Sequence, residues 1–419
     1  MMSCAGTSYI STPAMDALAE RGVMFSRAYC TQPLCIPSRG AMSTGLYPHQ
    51  FGVNFNFSYR DKQAEPVRWI ADLVRDCGYD TAYFGKWHQP IDPADEETHG
   101  WKEVGISKDA QLIAQCREYF SKKRSRPFYL TVSIMNPHNI CQAARDQKLP
   151  DGDIGEVPPP EHCPELPENF EIPELQPSVL EKVREKAPFM HPTADWDEGR
   201  WRQFRWQYAR VTELADRIVG GIMDELEQAG LAENTVVIFS SDHGDGGGSH
   251  RWNQKQCLYE ESVRVPLIIA QPDGPAGITD SDYIVNTGLD LYATVCSAAG
   301  AEPPDSRTGL SLAHIPAHGS HQWRTHTVAE TEFGPFGSPF GISGRAVITP
   351  QYKYTIYSEG NPKEMLVDLE NDPGEMRNLI QDPEYSTIIN NHRNLLREWA
   401  VRTEDDFQSP HSDRPVCTI

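Results

Sequence analysis

Thr31-Gln-Pro-Leu-Cys35-Ile-Pro37-Ser38-Arg39-Gly-Ala-Met-Ser-Thr-Gly45 sets a cysteine immediately ahead of a short helical pattern. Ser38 to Leu46 reads as a helix with small residues on one side, which places Cys35 at or just before its N-terminus. Unpaired N–H groups and the helix dipole favour an anion there. Arg39 adds a fixed positive charge four residues on. A cysteine in that setting has a depressed pKa and can serve as a nucleophile. The same residue type also serves as a small buried apolar side chain, and the local pattern leaves both readings open.

Working outward, the chain punctuates itself clearly. Thr12-Pro13, with Met15, Leu18 and a closing Gly22, predicts a helix over Pro13 to Arg21. Val23 to Tyr29 then reads as a strand delivering the Cys35 loop. Ile70, Leu73, Val74 and Cys77 with Gly78 mark a helix and its stop, and Asp80 to Phe84 a strand that ends in Gly85-Lys86-Trp87-His88. A helix from about Ala110 to Lys122 precedes a strand, Phe128 to Met135, which ends in Asn136-Pro137-His138. In parallel α/β sheets ligands collect beyond the carboxyl ends of strands. Taken singly, Lys86 and His88 read as solvated loop residues and His138 as a turn histidine.

Asp151 to about Val179 is rich in proline and acid and lacks periodicity, so it predicts a long irregular excursion of the kind that shapes access to a site. Phe204, Tyr208, Val211, Ala215, Ile218, Ile222 and Leu226 repeat at helical spacing up to Gly230. Thr235 to Gly244 is a near-continuous apolar strand, expected to be buried on both faces, and it ends in Asp242-His243. Carboxylate and imidazole at a strand end are metal-ligand chemistry that selects no one metal. Pro266 to Ala270 predicts another buried strand and Gly288 to Ala299 a helix. Beyond Pro303 the stretches Arg345 to Ile348, Lys353 to Tyr357 and Met365 to Asp368 alternate like antiparallel strands. A helix through Ile388, Leu395 and Trp399 closes the chain.

Four blocks carry a family resemblance. Cys35-Ile-Pro37-Ser38-Arg39 with Thr44-Gly45 resembles the signature of the formylglycine-dependent sulfatases of the alkaline phosphatase superfamily, in which that cysteine is oxidised to an aldehyde-bearing residue. Gly85-Lys86-Trp87-His88 is similar to their second signature, and Pro137-His138 to a further element. Asp242-His243-Gly244, continuing to Lys255 and Tyr259-Glu260-Glu261-Ser-Val-Arg264-Val-Pro266, is similar to their metal- and sulfate-binding block. The resemblance implies an α/β fold with a large, mostly parallel sheet flanked by helices and a small C-terminal antiparallel α+β subdomain, divided here as 1–320 and 321–419. It also implies roles. Cys35 becomes formylglycine through a maturing enzyme, and Lys86, His88, Arg39 and Lys255 contact the sulfate or the nucleophile. His138 protonates the leaving group, and Asp242, His243 and the modified Cys35 ligate calcium. His250 and Arg251 face either substrate or solvent.

In the family, a first strand ending in paired aspartates holds the metal and precedes a helix whose start resembles Ile10-Ser11-Thr12-Pro13. Eleven residues precede Thr12 here and none is an aspartate. The expectation is therefore a misplaced start, a broken gene or an incomplete calcium site. Compartment follows the same fork: periplasmic or secreted if a signal peptide was lost, cytoplasmic otherwise.

Composition limits the partners. With 38 basic against 59 acidic residues the net charge is -21, which excludes a nucleic-acid or anionic-membrane binder held by bulk charge. An anionic substrate needs a local basic pocket. A mean hydropathy of -0.53 and the lack of a long apolar run predict no membrane span. Ten cysteines without CxxC spacing indicate neither zinc nor a dense disulfide framework. The function expected is hydrolysis of a sulfate ester or sulfamate on a small molecule or glycan. The alternatives are a phosphodiester or phosphonate hydrolase of the same superfamily, or a metal-deficient pseudoenzyme that binds sulfated ligands.

Overall fold

The computed structural model describes residues 1–57, 67–313, 323–335 and 338–407. Thirteen strands occur among them: β1 (Val23–Phe25), β2 (Ala28–Tyr29), β3 (Asp80–Gly85), β4 (Glu103–Gly105), β5 (Phe128–Ser133), β6 (Val237–Ser240), β7 (Leu267–Ala270), β8 (Ile278–Asp280), β9 (Val285–Asn286), β10 (Thr327–Phe333), β11 (Ile342–Ile348), β12 (Tyr352–Tyr357) and β13 (Glu364–Asp368). They form a parallel sheet ordered β4-β3-β5, a mixed sheet ordered β6-β7-β1-β8, the parallel pair β2-β9 and an antiparallel sheet β10-β11-β12-β13. The α/β class and the antiparallel C-terminal subdomain are as the sequence predicts.

The helices follow their periodicity. Pro13–Glu20, Ile70–Asp76, Asp109–Ser121 and Thr287–Ala299 lie within a residue or two of their predicted bounds. The long amphipathic helix extends over Glu198–Gln228. It starts at Asp197, whose carboxylate accepts the Arg200 N–H at 2.8 Å and so satisfies an orphan donor of the first turn. Thr12 does not cap its helix. Its hydroxyl is drawn instead to Ser3, with Asp16 bonding the same serine at 2.7 Å. Between Asp151 and Ser178 the regular structure is one short turn of helix, Pro160–His162, as a proline-rich segment without periodicity should give.

Two expectations fail, for physical reasons. Val23 to Tyr29 is not one strand: the chain turns after Phe25, so β1 pairs with β7 and β8 while β2 pairs with β9. More consequentially, Val237–Ser240 is half-buried along its whole length rather than covered on both faces. The next strand of its sheet, β7, is buried throughout. The cause is topological. Among the described residues β6 pairs only with β7, and β5, half-buried up to Val132, pairs only with β3. Each is therefore an edge, and residues of both line a cavity of about 1860 Å³.

The C-terminal sheet is anchored to the rest by buried charge. Lys353 on β12, 1% exposed, places Nζ 2.7 Å from Glu375 and 3.0 Å from Glu260, which opens the short helix Glu260–Val263. The other Glu375 oxygen accepts the Glu260 N–H at 2.6 Å. Burial, opposed by Lys353, raises the Glu375 carboxyl to about 8. Removing the lysine strands these carboxylates in the interior, at a cost of about 3–5 kcal/mol. Lys353→Ala should lower the unfolding free energy by that order in urea titration, whereas Arg377→Ala, an exposed ion pair, should cost under about 1 kcal/mol.

A second tie is titratable. His49 bonds Glu330 on β10 through Nδ1 at 2.7 Å and the Thr403 carbonyl, at the end of the helix Ser386–Thr403, through Nε2 at 3.0 Å. Burial opposes the imidazolium, but the Glu330 carboxylate outweighs it and raises the pKa above the ordinary value of 6.5. A raised folded pKa contributes stability that is full below about 6.5 and is lost as pH rises through the folded value. The stability gap between the native protein and His49→Gln should therefore be widest in mild acid. It should narrow toward alkaline pH in denaturant titrations run across that range.

Candidate active site

Cys35 is the first residue of the helix Cys35–Thr44, which ends on Gly45 in the left-handed region at φ 67°. Its thiol is fully buried. Three groups converge on Sγ: Lys255 Nζ at 3.2 Å, His243 Nε2 at 3.3 Å and Lys86 Nζ at 3.8 Å. Burial alone pushes the thiol up, but Lys255, Lys86 and His243 outweigh it and hold Cys35 well below its ordinary value. The surroundings of Cys35 thus favour its ionised form, unlike those of the inert buried side chain that its sequence also allowed.

Each partner arrives from the C-terminal end of a strand. Lys86 follows β3 directly; its N–H bonds the Ser133 carbonyl at the end of β5. Asp242 and His243 follow β6. Lys255 comes from the loop after β6, whose backbone is forced into the left-handed region at His250, Arg251 and Gln256 (φ 53°, 52° and 76°). Non-glycine residues adopt that region only where the surroundings over-determine it. His250 is fixed by stacking on Tyr259, with centroids 3.8 Å apart, and by its N–H bond to the Asn169 carbonyl at 2.7 Å.

Arg39 knits these ends together. Nε donates to Asp242 Oδ2 at 2.8 Å, and Nη1 donates to Ser133 Oγ at 2.6 Å and Tyr83 Oη at 3.2 Å. Burial raises the Asp242 carboxyl, but Arg39 outweighs it and leaves it well below the usual carboxylate range. Sequence reasoning missed Ser133 and Tyr83, since an ordinary strand serine and tyrosine carry no motif; their one signal is position on the strands that end at the site.

His138 follows β5 and lines the same cavity as Lys86, Lys255 and His243. Burial, then Lys255 and Lys86, holds its imidazole well below the ordinary value. It is therefore neutral before an anion arrives. His88 is not brought against Cys35 in any described contact. It stands at φ 41° with Nδ1 buried and unpartnered, its ring 6.3 Å from Phe57. Asn136 Oδ1 and Gln254 Oε1 are likewise buried without a protein partner. Arg251 is turned away, paired with Glu171 at 2.9 Å.

The structure brings Cys35, Asp242 and His243 together as a possible metal group, their ligand atoms within 4.8 Å of one another. The donor set does not fit calcium. That ion takes six to eight oxygens, and this group offers one carboxylate, an imidazole and a thiol. Asp242 already serves Arg39 through Oδ2 and the His243 N–H through Oδ1 at 3.1 Å, while His243 Nδ1 is held to the Gly244 carbonyl at 2.7 Å.

Comparison with known proteins gives this geometry a family. The sulfatase family model matches residues 1–301, and the model for the C-terminal part of N-sulphoglucosamine sulphohydrolase matches residues 248–402. The chain belongs to the sulfatase family. It is 32% identical to a Delta 4,5-hexuronate-2-O-sulfatase of Bacteroides thetaiotaomicron, over 97% of this chain and 87% of that protein. It is 28% identical to an ulvan-active sulfatase of Formosa agariphila, over 97% and 79%. Among solved structures, a 2-O GAG sulfatase superposes with a TM-score of 0.84 at 30% identity, covering 94% of this chain and 88% of that one. A phosphonate monoester hydrolase of Agrobacterium radiobacter shares the fold, with a TM-score of 0.76 at 20% identity over 96% and 93%.

The cage around Cys35 of this sulfatase can be dissected without substrate. Following thiolate absorbance against pH in unmodified protein, Lys255→Met should raise the Cys35 pKa. Lys86→Met should raise it by less, because its ammonium stands 0.6 Å farther away (3.8 against 3.2 Å).

Proposed function

We propose that this sulfatase acts on a sulfated glycan, at the 2-O-sulfate of a hexuronate residue, after a maturing enzyme has oxidised Cys35 to formylglycine. The observation that carries the reading is the convergence of Lys255, Lys86 and His243 on Cys35 Sγ. Such a cage is shaped for an oxyanion whose charge grows during reaction. The choice of glycan position rests on the hexuronate-2-O-sulfatase and the 2-O GAG sulfatase, which are similar over nearly the whole chain.

The formylglycine, once hydrated, supplies an oxygen nucleophile at the position now held by Sγ. Lys86 and Lys255 bind the sulfuryl oxygens and take up their developing charge. Arg39 acts at one remove: its guanidinium is committed to Asp242, Ser133 and Tyr83, so it positions the site rather than gripping the sulfate. His138 is neutral in the empty site. A sulfate seated between the two lysines offsets the charges that depress its pKa, so that it takes a proton and passes it to the leaving oxygen. His88, Asn136 and Gln254 keep buried polar atoms free for the sugar or the nucleophile. Calcium enters no step, because the residues present do not form its site.

The test has two parts. Mass spectrometry of the peptide from Ala28 to Arg39 in native material should show the aldehyde; an unmodified thiol throughout would remove the nucleophile. Turnover should then be highest on an unsaturated 2-O-sulfated uronate disaccharide, lower on N-acetylglucosamine 6-sulfate and lowest on a phosphonate monoester. Lys255→Ala should lose on the order of 100-fold or more in kcat. A preference for the phosphonate would sink the sulfate reading, and tight binding of sulfated disaccharide by aldehyde-bearing protein without turnover would identify a pseudoenzyme.

A further inference from the structure

The buried charges that anchor the C-terminal sheet do not balance. Glu261 adjoins Glu260 and Glu375, so three carboxylates share the one buried ammonium of Lys353. Arg264, the other cation beside Glu260, is exposed and 3.7 Å away. Asp372 adds a further negative charge from the C-terminal turn. Negative charge gathered in the interior is costly unless a cation meets it.

His250 faces this excess. Its side chain is 1% exposed, and burial, opposed by Glu261, pushes the imidazole down to about 4, so the ring is neutral and keeps a lone pair. Nε2 stands 3.7 Å from Glu261 Oε2, beyond hydrogen-bond reach. Glu261 Oε2 is itself buried without a hydrogen-bond partner among the described residues, as is His250 Nδ1. The one donor near Nε2 is the Asn169 amide at 3.4 Å, which makes shorter bonds to Glu261 Oε1 at 2.8 Å and to the Gly374 carbonyl at 3.2 Å. The lone pair and the orphaned carboxylate oxygen therefore point at one another across a space that neither fills.

Ligand atoms of His250, Glu261 and Glu375 lie within 4.8 Å of one another. A tetrahedral ion with bonds of about 2.0–2.1 Å sets its ligand atoms about 3.4 Å apart, close to the separation of His250 and Glu261. The groups behind the ligands are in place as well. Asn169 holds Glu261 by Oε1 and leaves Oε2 free, and Glu375 is held by Lys353 and the Glu260 N–H. The His250 ring is fixed by its stack on Tyr259 and by a backbone at φ 53°. Metal ligands are oriented by such partners.

We propose that His250, Glu261 and Glu375 form a structural site for a divalent cation of the zinc class, four-coordinate with a water as the fourth ligand. One imidazole and two carboxylates are a donor set for that class. The site shares no ligand with the Cys35 cage, and no step of sulfate hydrolysis passes through it. The ion joins three segments: the loop bearing Lys255 through His250, the helix Glu260–Val263 through Glu261, and the C-terminal turn through Glu375.

The test uses the full chain with Zn2+ or Co2+ alone. Titration calorimetry should show one equivalent of Zn2+ bound, with an affinity that Cys35→Ala leaves unchanged. Glu261→Gln, which keeps the shape of the side chain, should weaken it at least about tenfold, and His250→Gln likewise. Zn2+ should raise the unfolding temperature of the native protein and not that of Glu261→Gln. Co2+ should give the intense visible bands of a tetrahedral site in both the native protein and Cys35→Ala. Those two spectra need no change at the joint, so they decide the matter even if Glu261→Gln unfolds. No binding at millimolar Zn2+, the weak bands of octahedral Co2+ in Cys35→Ala, or an affinity that Cys35→Ala abolishes and a folded Glu261→Gln retains would each overturn the proposal.

Discussion

Arg39 is the contact on which the site depends. One guanidinium, buried and held charged by Asp242, fixes the helix that carries Cys35, the end of β3 through Tyr83, the end of β5 through Ser133 and the end of β6 through Asp242. A buried ion pair contributes little net stability when both partners are counted against water. Its value here is geometric: four elements from distant parts of the chain are registered to one planar fork, and the lysines and histidines that ride on them converge as a consequence.

The legible part of this molecule was the part written locally. Cys35-Ile-Pro37-Ser38-Arg39, Lys86 after β3, His138 after β5 and Asp242-His243 after β6 stand in short motifs, and each motif sits where a strand stops. Most helix bounds were readable for the same reason, since apolar spacing and Gly78 are local signals, but the helix read as Ser38 to Leu46 runs from Cys35 to Thr44. What the sequence hid was pairwise and long-range. Val237–Ser240 has the composition of a strand covered on both faces, and composition cannot reveal that it lies half-buried beside a cavity. Thr12 has the look of an N-cap, but Ser3 and Asp16 compete for its hydroxyl. Ser133 and Tyr83 act only because Arg39 reaches them.

The electrostatics of the cage also tie its parts to one another. The charges of Lys255 and Lys86 that lower the Cys35 pKa also lower that of His138, with burial the first cause there. Thiol and imidazole thus answer to the same two ammonium groups. A site built in this way has its charge arranged before reaction, as preorganised catalysis requires.

The strained loop bearing Lys255 is tied to distant parts of the chain. His250 is clamped by Tyr259 and Asn169, and the Asn169 amide donates to Glu261 and to the Gly374 carbonyl of the C-terminal turn. The proline-rich excursion, the lysine loop and the C-terminal subdomain therefore meet at one joint. A substitution in that turn would thus be felt at the ammonium beside Cys35, although no part of the turn touches the thiol.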